Sequence, residues 1–204
     1  MRPVQILPPQ YHSLGTLDIV KDRRALIFMN IMGFVLLVVS GWLFWKAILK
    51  LRAPEVASGL ARIQAGSFLD MVVLIAWVLA LTAVHVSIHE AIHGVFFWWF
   101  TRSRPRFAFR WTHAYAAAPD WYLPRNHYLI TTLAPLVVIT LGGLALIPIA
   151  PASWLAGVWF VLTMNAGGAV GDILVAGWLL RQKHTCLAQD RGDSVTLFAL
   201  VENS

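Results

Sequence analysis

The chain has 204 residues, of which 58% are apolar and 13% charged, with a mean hydropathy of +0.67. Soluble domains run at about 45–50% apolar and about 25% charged, so a freely soluble globule and a disordered chain are both excluded, and an integral membrane protein is left. Sixteen Lys and Arg against ten Asp and Glu resemble a nucleic-acid binder only until the charges are placed along the chain. Ten Trp suit a protein with two membrane interfaces to occupy. The single Cys186 cannot form an intramolecular disulfide, so nothing requires an oxidising compartment.

A span needs about 20 mostly apolar residues to cross a hydrocarbon core of about 30 Å. Residues before Ala25 hold no short apolar core followed by a small-residue cleavage site, so we expect an uncleaved anchor as the first span. That span is 25–48. The outer connection 53–70, with Pro54, Gly59 and Gly66, suits a short interfacial helix. The second span, 71–100, is longer than a straight crossing needs and should tilt or protrude. Its end, Phe96–Phe100, reads as an interfacial aromatic belt.

Arg106–Tyr115 alternates with the period of two of a strand, and Ala118-Pro119-Asp120 follows as a turn. The third span is 128–150, where Pro135 should kink the helix and Thr131 and Thr132 stand near enough to satisfy the freed carbonyl. Pro148 and Pro151 make a tight outer turn. The fourth span is 154–180, and Ser194–Phe198 beyond it is strand-like. The predicted fold is an all-α membrane protein of one domain, 1–204. It has four transmembrane helices and a short extended, β-like cytoplasmic connection between the second and third.

Lys and Arg placement sets orientation. Twelve lie before the first span, between the second and third, or in the tail; four (Lys46, Lys50, Arg52, Arg62) lie on the other side. Both termini are therefore expected in the cytoplasm and the protein in the cell membrane. The basic excess serves topology and contact with lipid headgroups, and no nucleic-acid partner is expected.

The chemistry concentrates in His89-Glu90-Ala91-Ile92-His93 of the second span. Residues i and i+4 of a helix share a face about 6 Å apart, so two imidazoles can converge on one metal while the adjacent Glu reaches a metal-bound water. This is the metallopeptidase pattern, in which zinc lowers the water's pKa to about 7. The competing structural reading has two histidines hydrogen-bonded to neighbouring helices and Glu90 protonated. Ionisable groups at bilayer depth cost about 2.5 kcal/mol or more on insertion scales, which favours a role.

Catalytic zinc takes three protein ligands and one water. Eight acids fall in loops, tails or span edges: Asp18, Asp22, Glu55, Asp70, Asp120, Asp190, Asp193 and Glu202. Besides Glu90, that leaves Asp172 inside the fourth span. His93 lies nine residues before Arg102 and Asp172 nine before Arg181, which puts both about 13 Å from the cytoplasmic rim. Gly167 and Gly171 form a small-residue face that allows close helix approach; packing alone is the other explanation for them.

His85 is one turn before His89, too far from His93 for one ion, and so supports a ligand or packs as a polar residue. Asn165 is placed to bond a substrate carbonyl or another helix. His113, in the extended connection, is a candidate oxyanion donor. No histidine on another span matches His89 or His93 in depth, so no haem is expected.

His89-Glu90-Ala-Ile-His93-Gly94 in a span, a partly extended connection, Leu133-Ala-Pro-Leu136, then Gly171-Asp172 in the last span together resemble the integral-membrane family of putative zincin peptidases. That family is distantly similar to the site-2 intramembrane metalloproteases. The likeness runs from about Val84 to Leu180. It implies Zn2+ as cofactor, peptidase chemistry, His89 and His93 as ligands, Glu90 as catalytic acid/base, and Asp172 as the aspartate ligand. Site-2 enzymes carry that aspartate beside an Asn-Pro and before a Gly; here Gly171 precedes it, Ile173 follows and no Pro is near. The expected function is a zinc-dependent, membrane-embedded peptidase acting on a membrane-protein or peptide substrate near the cytoplasmic side. The alternative is a non-catalytic metal-binding or scaffold protein.

Overall fold

A computed structural model describes residues 1–18, 23–52, 66–109 and 114–201. In chain order they form β1 (Tyr11–Asp18), α1 (Arg23–Leu51), α2 (Phe68–Thr101), β2 (Arg106–Phe109), β3 (Ala114–Ala117), β4 (Leu123–Pro124) and α3 (Arg125–Leu146). A single 3-10 turn, Ala152–Trp154, leads to α4 (Leu155–Gly168), α5 (Val170–Leu180), β5 (Leu187–Asp190) and β6 (Ser194–Leu200). The expected interfacial helix falls, over residues 53–65, outside the described residues.

Among the described residues, three helices are long and apolar enough to cross a membrane: Leu26–Leu51, Phe68–Thr101 and Arg125–Leu146. There are four if the broken pair α4–α5 counts as one span. They enclose or overlap the expected spans, and their large apolar side chains, among them Phe34, Trp42, Leu79 and Val95, stand exposed as lipid-facing residues do. Two differences are physical. The third span ends at Leu146, before the Pro148 region, and the fourth is broken at Ala169, whose N–H still bonds Asn165 O at 3.0 Å. At the start of α2, Ser67 Oγ and N–H both donate to Asp70 Oδ2, at 2.8 and 2.9 Å, and cap it.

The chain makes two compact units. One comprises Ile31–His89 and Leu136–Ala169. Its core joins Ile48, Ile147, Ala150, Leu155 and Leu162. Arg52, at the end of α1, donates to the carbonyls of Ile147 and Ala150 at 2.8 and 2.7 Å, placing positive charge where α3 ends and unpaired carbonyls collect.

The other unit comprises Met1–Asn30, Glu90–Pro135 and Val170–Ser204. It carries a four-stranded antiparallel sheet in the order β1-β6-β5-β4, and a separate hairpin of β2 and β3. The strand-like tail is therefore β6, where Val195 and Leu197 point into the core and Thr196 points out to bond Thr16 across the pair at 2.9 Å. The sheet is more β-structure than expected, because β1 pairs with a strand about 180 residues away.

The core of this unit gathers Phe97, Tyr128, Val175 and Leu179 from three helices with Leu123, Ala188, Val195 and Leu197 from the sheet. Between β5 and β6 the chain turns at Gly192, whose φ is +89°. A Cβ there would lie 2.3 Å from the Tyr115 ring. Gly192→Ala is therefore expected to destabilise the protein by about 1–3 kcal/mol, read as a lowered melting temperature in detergent.

Candidate metal centre

α2 is uninterrupted from Phe68 to Thr101, so helical geometry alone sets His89 and His93 one turn apart on one face. α5 brings Asp172 to them. His93 Nε2 lies 3.5 Å from Asp172 Oδ1, and the ligand atoms of His89, His93 and Asp172 all lie within 4.8 Å of one another. Asp172 sits in the first turn of α5, which exists because the span breaks at Ala169. A helix N-terminus favours an ionised carboxylate, so the break supplies charge stabilisation that a continuous span would lack.

Each imidazole is held by its other nitrogen. His93 Nδ1 donates to Thr131 O at 2.9 Å, and His89 Nδ1 meets Asn165 Oδ1 at 3.2 Å. Asn165 is fully buried, and its amide nitrogen donates to Leu136 O at 3.4 Å and Thr140 Oγ1 at 3.5 Å, which leaves its oxygen for His89. Metal-binding histidines are held in this way, with one ring N–H on a carbonyl and the other nitrogen free to coordinate. Two imidazoles presenting Nε2 and one carboxylate make the donor set of a catalytic zinc site. The residues fit the ion.

Glu90 lies beside this group. Its Oε2 accepts the N–H of Ala116 at 2.8 Å. Ala116 pairs with Phe107 on β2, so the other edge of β3 faces Glu90. The hairpin is seated by a close approach: a Cβ on Gly94 would lie 2.3 Å from Phe107 Cζ. Glu90, His93 and Asp172 line a cavity of about 160 Å³ with Tyr115, Ala116, Tyr128, Thr131 and Asp190.

Tyr128 donates its hydroxyl to Asp190 Oδ2 at 2.7 Å, and the Gly192 N–H donates to Asp190 Oδ1 at 2.7 Å. Burial raises the Asp190 carboxyl above the usual range, and these two donors oppose that rise.

The structure therefore brings His89, Glu90, His93 and Asp172 together. Asn165 bonds His89 and, through its amide nitrogen, Leu136 and Thr140. His85 is buried and packs edge-on to His89, with ring centroids 5.9 Å apart, and stays outside the ligand group. His113 lies outside the described residues. Sequence reasoning missed the Thr131 carbonyl and the Ala116 amide, which as backbone groups leave no mark in residue identity. It also set Asp190 among the tail acids, although that residue lines the cavity. The strand-like run just after it was the available signal.

Over residues 82–187, just over half its length, the chain matches the family described as "Putative zincin peptidase". No solved structure matches it.

Replacing Asn165 with Leu removes the acceptor that orients His89 while keeping a similar volume. Zinc affinity is expected to fall about 10–100-fold, measured by competition with a chromogenic chelator.

Proposed function

Because the chain belongs to the putative zincin peptidase family, we propose that it is a zinc-dependent membrane peptidase, with its active site near the cytoplasmic side of the bilayer. The observation that carries the reading is the convergence of the ligand atoms of His89, His93 and Asp172, two of which, His93 and Asp172, line a cavity with Glu90. His89, His93 and Asp172 would hold the ion. When bound, zinc lowers the pKa of water to about 7 and polarises a carbonyl.

Glu90 is the group that moves protons. It accepts one from the attacking water and delivers it to the amine nitrogen as the peptide bond breaks. Its Ala116 contact holds Oε2 against β3 and so fixes where the carboxylate sits. A helical substrate hides its carbonyls in its own hydrogen bonds, so an extended segment is required. The edge of β3 that faces Glu90 can pair with one. Membrane lipids and a membrane-protein or peptide substrate are the partners this implies. The twelve-to-four distribution of basic residues supports cytoplasmic termini.

Glu90→Gln keeps the shape of the site and removes the base. The purified variant is expected to retain zinc and to lose at least about 100-fold of its peptidase activity; His93→Ala is expected to lose the metal as well. Wild-type cleavage by the Glu90→Gln protein would overturn the mechanism. A purified wild-type protein that holds no zinc would favour a scaffold instead.

A further inference from the structure

We infer that Pro135, which touches no substrate, is a positioning residue: by lacking an N–H it frees the Thr131 carbonyl to hold His93 in its metal-binding tautomer.

In an α-helix the N–H of residue i bonds the carbonyl of residue i−4. Pro135 lies inside α3, and proline has no N–H to give. The carbonyl that loses its helical partner is that of Thr131. Thr131 is fully buried, and a buried carbonyl in an apolar span must find another donor. The sequence suggests the neighbouring hydroxyls for that task. Thr131 Oγ1 does something else: it donates to His127 O at 2.9 Å. The donor that reaches the Thr131 carbonyl is His93 Nδ1, at 2.9 Å.

The consequence falls on the imidazole. A neutral ring has one N–H and one lone pair. With the proton fixed on Nδ1, the lone pair is on Nε2, the nitrogen 3.5 Å from Asp172 Oδ1. His89 receives the same service from a side-chain amide, Asn165. The two ligands are thus oriented by two unrelated devices, one a side chain and the other a gap in a helix ladder. Pro135 is itself among the fully buried side chains, so its ring fills space there as well. The tautomer is a property of the metal-free protein, whereas the effect of Pro135 on affinity rests on the zinc reading above.

Pro135→Ala restores an N–H that competes with His93 for the Thr131 carbonyl. In the purified protein we expect zinc affinity to fall about tenfold, while the melting temperature of the metal-free protein holds or rises as the helix regains its bond. A proline that only shapes the helix would move stability and leave the affinity of the folded protein unchanged, which would overturn the proposal. A second measurement needs no variant. In metal-free protein labelled with 15N-histidine, at a pH where the ring is neutral, His93 should show a protonated Nδ1 and an unprotonated Nε2, with the mixture shifting toward Nε2–H in Pro135→Ala. An Nε2–H tautomer in the wild type would overturn the proposal even if Pro135→Ala fails to fold. Wild-type protein that shows the expected tautomer and yet binds no zinc would overturn the peptidase reading and leave the positioning of the ring standing.

Discussion

A ring N–H and a backbone carbonyl meet at 2.9 Å between His93 and Thr131, inside helices whose other surfaces are almost entirely apolar. In such surroundings an unpaired polar group costs several kcal/mol, so the geometry of the candidate metal centre is set by where partners exist. Regular helices offer none, because every interior N–H and carbonyl is already used. The site is accordingly built at irregularities. Pro135 releases a carbonyl, and the break at Ala169 creates the helix end whose first turn holds Asp172. Asn165, the residue that Ala169 bonds through its backbone, spends its side chain on His89.

Packing carries the same logic toward the sheet. Phe97 follows His93 by four residues, Tyr128 precedes Thr131 by three, and Val175 follows Asp172 by three. Each pair shares a helix face. The core that buries Phe97, Tyr128 and Val175 against Leu123, Ala188, Val195 and Leu197 therefore lies one turn from the site on all three helices at once. Apolar contacts there fix the rotation of α2, α3 and α5, and that rotation aims the polar residues. Tyr128 takes part in both layers, with its ring against Phe97 at 6.3 Å and its hydroxyl on Asp190.

Much of this was legible in residue order. The apolar runs mark α1, α2 and α3 closely, because a membrane span is a compositional object read locally. His89, Glu90 and His93 are legible because helical period is local too, and Asp172 because acids are scarce in spans. What escaped is what depends on distant partners. Tyr11–Asp18 carries a weak strand pattern and becomes a strand only through β6, at the far end of the sequence. Asp190 looks like a solvated tail residue until β5 lays it against Tyr128. The break at Ala169 has no proline to announce it, and the expected continuous span had no reason to stop there.

The pairing of β1 with β6 has a temporal side. A chain is synthesised from its N-terminus at about 5–20 residues per second, so Asp190, Gly192 and Val195, which close one wall of the cavity, are made only after the five described helices. Until then β1 lacks β6, and the cavity that Glu90, His93 and Asp172 line lacks that wall. Contacts across so long a loop also form late, since chain closure comes before any gain from them. The cavity is thus completed only after the helices that line it have been made.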